Sequence, residues 1–132
     1  MVNAKELRLG NLVKCLVHLQ VGYYKPTLAY SQVIGIRETE VQTDLGVFKY
    51  KEIDDITLTE NILLKAGAKQ NDNKFIFGDG NTDKLTITLV LTSGKFYLGG
   101  DNEKIYSVSV NAVHQLQNLY FDLRKEELDL DI

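Results

Sequence analysis

The sequence NAVHQLQNLYFDLRK, residues 111–125, has the clearest helical periodicity in the chain. Its apolar residues recur at the spacing of one helix face, which predicts a buried stripe that packs on a sheet. That stripe consists of Ala112, Val113, Leu116, Leu119, Tyr120 and Leu123. The opposite side carries hydrogen-bonding side chains around one large aromatic, and its members are His114, Gln117, Asn118, Phe121 and Lys125. We expect this polar side to face water or a partner.

The residues far upstream of this helix predict a small antiparallel β subdomain at residues 1–56. Strand patterns recur there with hairpin-sized turns between them, at 11–18, 31–36, 40–43, 46–50 and 53–56. Residues 19–30 contain Gly22 and the only proline, Pro26, and this interruption predicts an ordered loop or a protruding hairpin. Such close spacing of strands is typical of an SH3-like barrel or a similar small barrel or meander.

Residues 57–132 predict an α+β subdomain. A short helix is expected at 60–66, with Thr59 as its N-cap and Gly67 just after its end. Four strand patterns follow it, at 74–77, 84–91, 95–98 and 103–108. The predicted fold class is therefore α+β, with a four-stranded antiparallel sheet that is covered by the short helix and by the C-terminal helix. One continuous domain is the alternative to two subdomains, since no Pro/Gly/Ser linker marks the boundary.

Composition limits the classes of protein that this chain can represent. Its 132 residues are 44% apolar and 25% charged, which is ordinary for a small globular protein. No segment approaches the roughly 20 apolar residues of a membrane span, and the first ten residues lack a secretory signal, so we expect a cytoplasmic location in a bacterial host. The single cysteine, Cys15, excludes an internal disulfide and lies in an apolar run that predicts a buried thiol.

Three segments carry a resemblance to a known family. The segment VHQLQNLYFDLRKEEL, residues 113–128, resembles the C-terminal signature of a family of small uncharacterised proteins from gut anaerobic bacteria and their phages and prophages. KELRLGNLV (5–13) and DDITLTENILLKAGAK (54–69) are similar to two further family segments, although Thr57 and Ile62 replace the usual proline and aromatic. The resemblance implies a phage or mobile-element context. It brings no activity and no catalytic residues.

The sequence contains no convincing catalytic or metal-binding motif. Residues 79–83 begin like a calcium loop but lack its later glycine and carboxylate, so a hairpin turn is favoured. The adjacent acids Asp54 and Asp55 point to opposite faces of an extended chain and do not form a dyad. His114 has no orienting acid or nucleophile in a recognisable motif, and with His18 and Cys15 it makes no zinc constellation. We therefore predict a protein that is not an enzyme and has no cofactor and no metal.

Nucleic-acid binding is an alternative that the charge disfavours. The possible ligand or nucleic-acid contacts in the N-terminal half are Tyr23, Tyr24, Lys25 and Tyr30, because aromatics and cations on a small barrel can bind single strands. However, residues 1–58 hold seven basic and seven acidic groups, while residues 59–132 hold eight and eleven, which gives the net charge of −3. A strongly basic footprint is therefore absent, and we predict no binding of random DNA at physiological salt.

The sequence thus predicts a small non-catalytic interaction module that acts on a host or virion protein. The predicted contact surface is the polar side of the last helix, where Phe121 among amide side chains has the composition of an interface hot spot. The alternative for Phe121 is coverage by the chain's own tail, through Leu128 and Leu130, or by the N-terminal barrel. Two further functions remain open, namely an accessory nucleic-acid-binding protein and a small-ligand-sequestering protein. A homo-oligomer is compatible with all three of these functions, and no membrane partner is expected.

Overall fold

A computed structural model describes residues 4–17, 27–78, 86–99 and 105–130. The chain divides into two compact units, Met1–Ile56 and Thr57–Ile132, which we call the first and the second unit. In the residues described, every helix is too short or too polar to cross a membrane.

The first unit is a curled antiparallel half-barrel of five strands, joined in the order β4-β3-β2-β1-β5. Its strands are β1 (Leu12–Val17), β2 (Thr27–Ile36), β3 (Glu40–Thr43), β4 (Gly46–Lys49) and β5 (Ile53–Asp54), with 3-10 turns at Ala4–Glu6 and Tyr50–Glu52. One face of this sheet forms the core, where the buried residues are Leu7, Val13, Cys15, Val33, Val41 and Ile53. The expectation of a small β unit with a buried cysteine is therefore confirmed.

Part of the predicted loop at 19–30 is wrong. Residues 27–30 belong to β2, which runs for ten residues and pairs with the whole of β1 from Leu12↔Gln32 to Val17↔Thr27. The strand begins at Thr27, which directly follows Pro26 in the sequence. Residues 19–26 lie outside the described part of the chain.

The second unit is a five-stranded antiparallel sheet in the order β10-β9-β8-β7-β6, together with two helices. Its elements are α1 (Glu60–Lys65), β6 (Lys69–Asn71), β7 (Lys74–Phe77), β8 (Ile87–Thr92), β9 (Lys95–Gly99), β10 (Ile105–Ser109) and α2 (Val113–Arg124). The α+β class is confirmed, as are the two helices. The expected number of strands is wrong because β6 was missed.

Strand β6 escaped the sequence pattern because its residues are polar and exposed. KQN offers no apolar alternation, and it is held in the sheet by pairing with β7 through the turn at Asp72 and Asn73. Asp72 has φ 55, a left-handed conformation that suits a two-residue hairpin. The predicted turn at Ser93 and Gly94 is confirmed, with φ 52 and 79 at these residues.

Aromatic and aliphatic side chains fill the core of the second unit. Phe75 and Phe96 meet edge to face, with ring centroids 5.7 Å apart. Phe77 on β7 meets Tyr120 on α2 in the same way at 5.8 Å, which places the helix against this end of the sheet. Leu63 of α1 and Leu116 of α2 are completely buried, as the predicted apolar sides of the two helices require.

Hydrogen bonds fix both helix starts. The Thr59 hydroxyl accepts from the Ile62 amide at 3.2 Å, which confirms the predicted N-cap of α1. At α2, the side-chain oxygen of Gln115 accepts from the amides of Asn111 and Ala112, at 3.0 and 3.2 Å. Asn111 in turn accepts from the Phe96 amide at 3.2 Å, so the start of α2 is tied to β9.

Candidate interaction surface

The structure corrects the predicted partner surface on α2. His114 and Gln117 are only 1% and 4% exposed, so the expectation that they face water or a partner is wrong. Asn118 and Phe121 are half-buried, and Lys125 is exposed beyond the helix end in a left-handed conformation. The five residues therefore do not form one accessible surface. Whether the exposed parts of Asn118, Phe121 and Lys125 contact a partner stays a prediction.

The buried side of α2 is rotated toward Gln117 and Arg124 relative to the apolar stripe. Arg124 is only 8% exposed, and its guanidinium lies over the Tyr120 ring at 5.3 Å and forms an ion pair with Glu126 at 3.6 Å. Long polar side chains can bury their stems in this way while their polar ends keep partners. A stripe counted from apolar residues alone therefore identifies only part of the side on which the helix packs.

The predicted aromatic contacts of the first unit are described only at Tyr30. Tyr23, Tyr24 and Lys25 lie outside the described residues. Tyr30 is 50% exposed on β2 and is paired with Lys14 of β1. Lys14 is also paired with Asp54 of β5, so the cation beside Tyr30 has a carboxylate on its other side.

The outward face of the first sheet carries an apolar row that we name the outer row, consisting of the half-buried Leu16 and the exposed Leu28, Tyr30, Ile34 and Val47. On β2 the buried residues Ser31 and Val33 alternate with the exposed Tyr30, Gln32 and Ile34, so one polar residue separates the two apolar ones. Leu28 and Ile34 are 54% and 50% exposed. Large apolar side chains grouped on one face are a mark of interaction sites, whereas scattered ones are not.

Strand pairing joins the members of the outer row. Leu16 of β1 lies directly opposite Leu28 of β2, a cross-strand apolar pair. On the other side of β2, a bulge places Gly35 against Gln42 of β3, and Gln42 lies opposite Val47 of β4. A Cβ at Gly35 would stand 3.2 Å from the Gln42 side chain, so the small residue allows this close approach.

A hydrogen-bonded turn holds the β3–β4 hairpin to β2. The Asp44 carboxylate accepts from the Ser31 hydroxyl at 2.5 Å and from the Gln32 amide at 2.9 Å. The Asp44 amide donates back to the Gln32 carbonyl at 3.1 Å. The Ser31 hydroxyl, followed by the Gln32 amide, holds the pKa of Asp44 below its usual range. The hairpin that carries Val47 is thus fixed relative to Ile34.

A shallow groove of about 200 Å³ adjoins one end of the outer row. Its apolar floor comes from Leu16, Leu28 and the buried Ile53. Its rim consists of Lys51, Glu52 and Asp54, which supply both signs of charge. The groove and the outer row together combine an apolar centre with a charged edge, the usual arrangement of a protein interface.

The described residues offer little reactive chemistry. Burial raises the pKa of the Cys15 thiol, and hydrogen bonds with Ser31 and Thr43 oppose that effect only in part. Over the described ranges, no three His, Cys, Asp or Glu side chains converge on a point where a metal ion could bind. The calcium-like segment at 79–83 falls outside those ranges.

Most of the outer row was missed by the sequence analysis, which named only Tyr30. A signal was present in TLAYSQVIGI, where apolar residues occupy both alternating sets of positions. In a strand, such a pattern indicates that both faces are apolar. A strand with only one face in the core then leaves the other apolar face accessible.

Comparisons of the chain with protein-family models, with curated proteins and with solved structures find no match.

Proposed function

We propose that this chain is a small protein-interaction module that binds its partner through the outer row of the first unit. The observation that carries the proposal is the exposure of Leu28, Tyr30 and Ile34 along one face of β2, with each side chain at least half accessible. Burial of such side chains is the main source of affinity in protein interfaces. We further propose that a phage or mobile element encodes the module and that a host or virion protein is its partner.

The arrangement of the first unit supports an SH3-like barrel as the scaffold of this module. Its strand order places β5 beside β1 and leaves β2, β3 and β4 as a meander, with a 3-10 turn, Tyr50–Glu52, between β4 and β5. The Tyr50 hydroxyl donates to the Arg37 carbonyl at 2.7 Å and so links that turn to the β2–β3 turn. Small barrels of this kind host many unrelated binding functions, so the surface must identify the function.

The energy available from the outer row indicates how large the interface has to be. Burying the exposed halves of Leu28, Tyr30, Ile34 and Val47 contributes about 3–6 kcal/mol of favourable free energy, before any cost of association is subtracted. Association itself costs about 4–15 kcal/mol. The outer row alone is therefore an anchor, and a stable complex also requires contacts with the adjoining groove and its charged rim.

Nucleic-acid binding is a second candidate because Tyr30 is exposed and lies opposite Lys14 on the same face. A base can stack on such a ring while the cation contacts a phosphate. Asp54 lies on the other side of Lys14, and the net charge of the chain is −3, so the electrostatic contribution is small. This candidate predicts weak, salt-sensitive binding.

Sequestration of a small ligand is less well supported than protein binding or nucleic-acid binding. The groove of about 200 Å³ is open and lies below the roughly 300–1,000 Å³ of typical ligand pockets. A groove of this size suits one side chain of a protein partner better than a whole metabolite.

The test is affinity capture from a lysate of the bacterial host with three immobilised proteins. The parent is compared with Leu28→Thr/Ile34→Thr, which places β-branched residues suited to a strand at both positions but removes apolar surface. The matched control is Leu9→Thr/Leu45→Thr, since these residues are similarly exposed but lie in turns. Circular dichroism melts establish that all three fold alike.

We expect a protein that the parent and the control retain and that the outer-row variant loses by at least about tenfold, equivalent to about 1.4 kcal/mol. Equal retention by all three proteins would refute the outer row as the binding surface. Recovery of nucleic acid that is released by moderate salt would favour the second candidate instead.

A further inference from the structure

The register of β6–β9 shows which side chains lie on the face of the second sheet that points away from α2. Phe77 meets Tyr120 of α2, so Phe77 and the residues that share its face are on the helix side. Neighbouring residues of a strand point to opposite faces, and paired residues of adjacent strands point to the same face. The other face, which we name the basic face, therefore carries three rows of side chains across the strands. They are Lys69, Ile76, Thr88 and Gly99; Asn71, Lys74, Val90 and Tyr97; and Thr92 with Lys95.

Contacts at Gly99 agree with this assignment of faces. A Cβ at Gly99 would stand 3.0 Å from Cγ2 of Val90 and 3.3 Å from Cγ2 of Thr88. The side chains of Val90 and Thr88 therefore lie on the same face as the position that a side chain at residue 99 would occupy.

The basic face has a positive charge that the composition of the whole chain conceals. It holds three lysines, and none of its paired positions in β6, β7, β8 and β9 is acidic. Lys69 and Lys95 are exposed and Lys74 is half-buried, while Asp72 lies in the turn beyond the second row. The net charge of −3 has its source elsewhere, since residues 122–131 alone contain five acids. A local excess of positive charge attracts an anionic ligand even on an acidic protein.

The spacing of the lysines indicates a ligand with several anionic groups. Lys69 lies in the first row on β6, Lys74 in the second row on β7, and Lys95 in the third row on β9. With about 4.8 Å between strands and about 6.8 Å between rows, the Cα atoms of Lys69 and Lys95 are about 20 Å apart. One small anion cannot bridge that distance, so the three charges suit a chain of anionic groups.

The centre of the basic face favours a nucleic acid over an acidic protein. Tyr97 lies in the same row as Lys74 and one row from Lys95, so its ring offers a stacking surface between the two cations. Val90, between Tyr97 and Lys74, is only 4% exposed, whereas protein interfaces are built on an accessible apolar centre. In single strands, bases stack on the aromatic side chains of a sheet while cations contact the phosphates.

We infer that the basic face binds single-stranded nucleic acid, with phosphates at Lys69, Lys74 and Lys95 and a base stacked on Tyr97. This activity is separate from protein binding by the outer row and uses none of its residues. Three phosphate contacts on a single strand give a slope of about −2 for the logarithm of affinity against the logarithm of salt concentration. Between about 20 and 150 mM salt the affinity should therefore fall about 70-fold. Binding is then measured at low salt, which is compatible with the net charge of the chain.

Fluorescence anisotropy of the full chain with a labelled oligothymidylate of about 15 nucleotides tests the phosphate contacts. We expect the parent to bind at low salt with the slope given above. Lys69→Gln/Lys74→Gln/Lys95→Gln should abolish binding. Lys95→Gln alone should reduce the magnitude of the slope by about 0.7, because it removes one phosphate contact.

The matched control is Lys14→Gln/Lys49→Gln/Lys65→Gln. It changes the net charge by the same amount and likewise replaces one half-buried and two exposed lysines. It should keep the salt slope of the parent. The outer-row variant Leu28→Thr/Ile34→Thr should also bind the oligonucleotide like the parent, because the basic face is intact.

Substitutions of Tyr97 test the stacked base. Tyr97→Leu should weaken binding at least about fivefold and leave the salt slope unchanged, since stacking is not a counterion effect. Tyr97→Phe keeps the ring and should retain the affinity of the parent. Circular dichroism melts establish that the variants fold like the parent.

Four results would overturn the inference. The first is a parent that does not bind the oligonucleotide at low salt. The second is an equal loss in the control triple variant, which would place the contact beside Tyr30 in the first unit. The third is displacement of the oligonucleotide by polyglutamate at the same concentration of charge, which would identify an acidic protein as the ligand. The fourth is full binding by Tyr97→Leu.

Discussion

Replacement of Gly78 by alanine is expected to destabilise the second unit more than the same replacement at Gly67. Both glycines have a positive φ, 109 at Gly78 and 101 at Gly67, so both variants place a side chain in a conformation that favours glycine. Their surroundings differ. A Cβ at Gly67 meets no atom within 4 Å, whereas a Cβ at Gly78 would stand 2.8 Å from Nη1 of Arg124 and 3.3 Å from Oγ1 of Thr86.

The structure gives the expected size of the difference. The shared backbone strain costs about 1 kcal/mol net. At Gly78 the guanidinium of Arg124 must also move away from the Tyr120 ring and from Glu126. The cation–π contact contributes about 0.5–1 kcal/mol and the partly exposed ion pair about 0.2–1 kcal/mol. We therefore expect losses of about 1 kcal/mol for Gly67→Ala and about 2 kcal/mol for Gly78→Ala.

Urea unfolding, followed by fluorescence or circular dichroism, measures both losses. A double-mutant cycle then identifies the cause, because the excess at Gly78 should fall below about 0.5 kcal/mol when Arg124→Ala is already present. Equal losses at the two glycines would refute the reasoning. An excess that persists without the arginine side chain would show that Arg124 does not cause it.

Three other predictions follow from buried or hydrogen-bonded groups. Leu116→Ala is expected to lower the free energy of unfolding in urea by about 2–5 kcal/mol because Leu116 is completely buried. Leu64→Ala, at an exposed position of α1, should lower it by less than about 1 kcal/mol. Similar losses at both positions would contradict the packing of α2. Ser31→Ala should raise the pKa of Asp44 toward its ordinary value, as NMR titration can measure. Because that pKa is lowered in the folded state, the stabilisation is present near neutral pH and is lost as pH falls through the folded value, so the stability deficit of Ser31→Ala should shrink as pH falls below the ordinary range of an aspartate; a deficit independent of pH would refute the bond. The Cys15 thiol should react with a thiol reagent only after unfolding, since burial raises its pKa; rapid reaction of the native protein would contradict its burial.

Local patterns predicted the features that depend on neighbouring residues. The periodicity of 111–125 identified α2, Thr59 identified the start of α1, and Ser93 with Gly94 identified a hairpin turn. Each of these depends on a preference that a short segment expresses by itself, such as an N-cap oxygen or a positive φ. The structure agrees with all three.

Features that depend on distant partners were not predictable in this way. Burial of Gln117 and Arg124 depends on the sheet that faces α2, and no property of the helix sequence specifies that sheet. Strand β6 is polar and exists because β7 pairs with it. The outer row became apparent only when the pairing of β1 with β2 brought Leu16 opposite Leu28. In each case, the contact that decides the outcome joins two different segments of the chain. The periodicity of one segment does not predict which other segment it will contact.

Photo-cross-linking most directly tests the claim that the outer row binds a protein partner. A benzophenone amino acid is placed at Tyr30 on the outer row or, as the control, at Tyr106 on β10, which is also an exposed aromatic position. After irradiation in lysate, we predict that the Tyr30 probe forms an adduct with one foreign protein, whereas the Tyr106 probe does not form that adduct. No foreign adduct at Tyr30, or the same foreign adduct at both positions, would contradict the account.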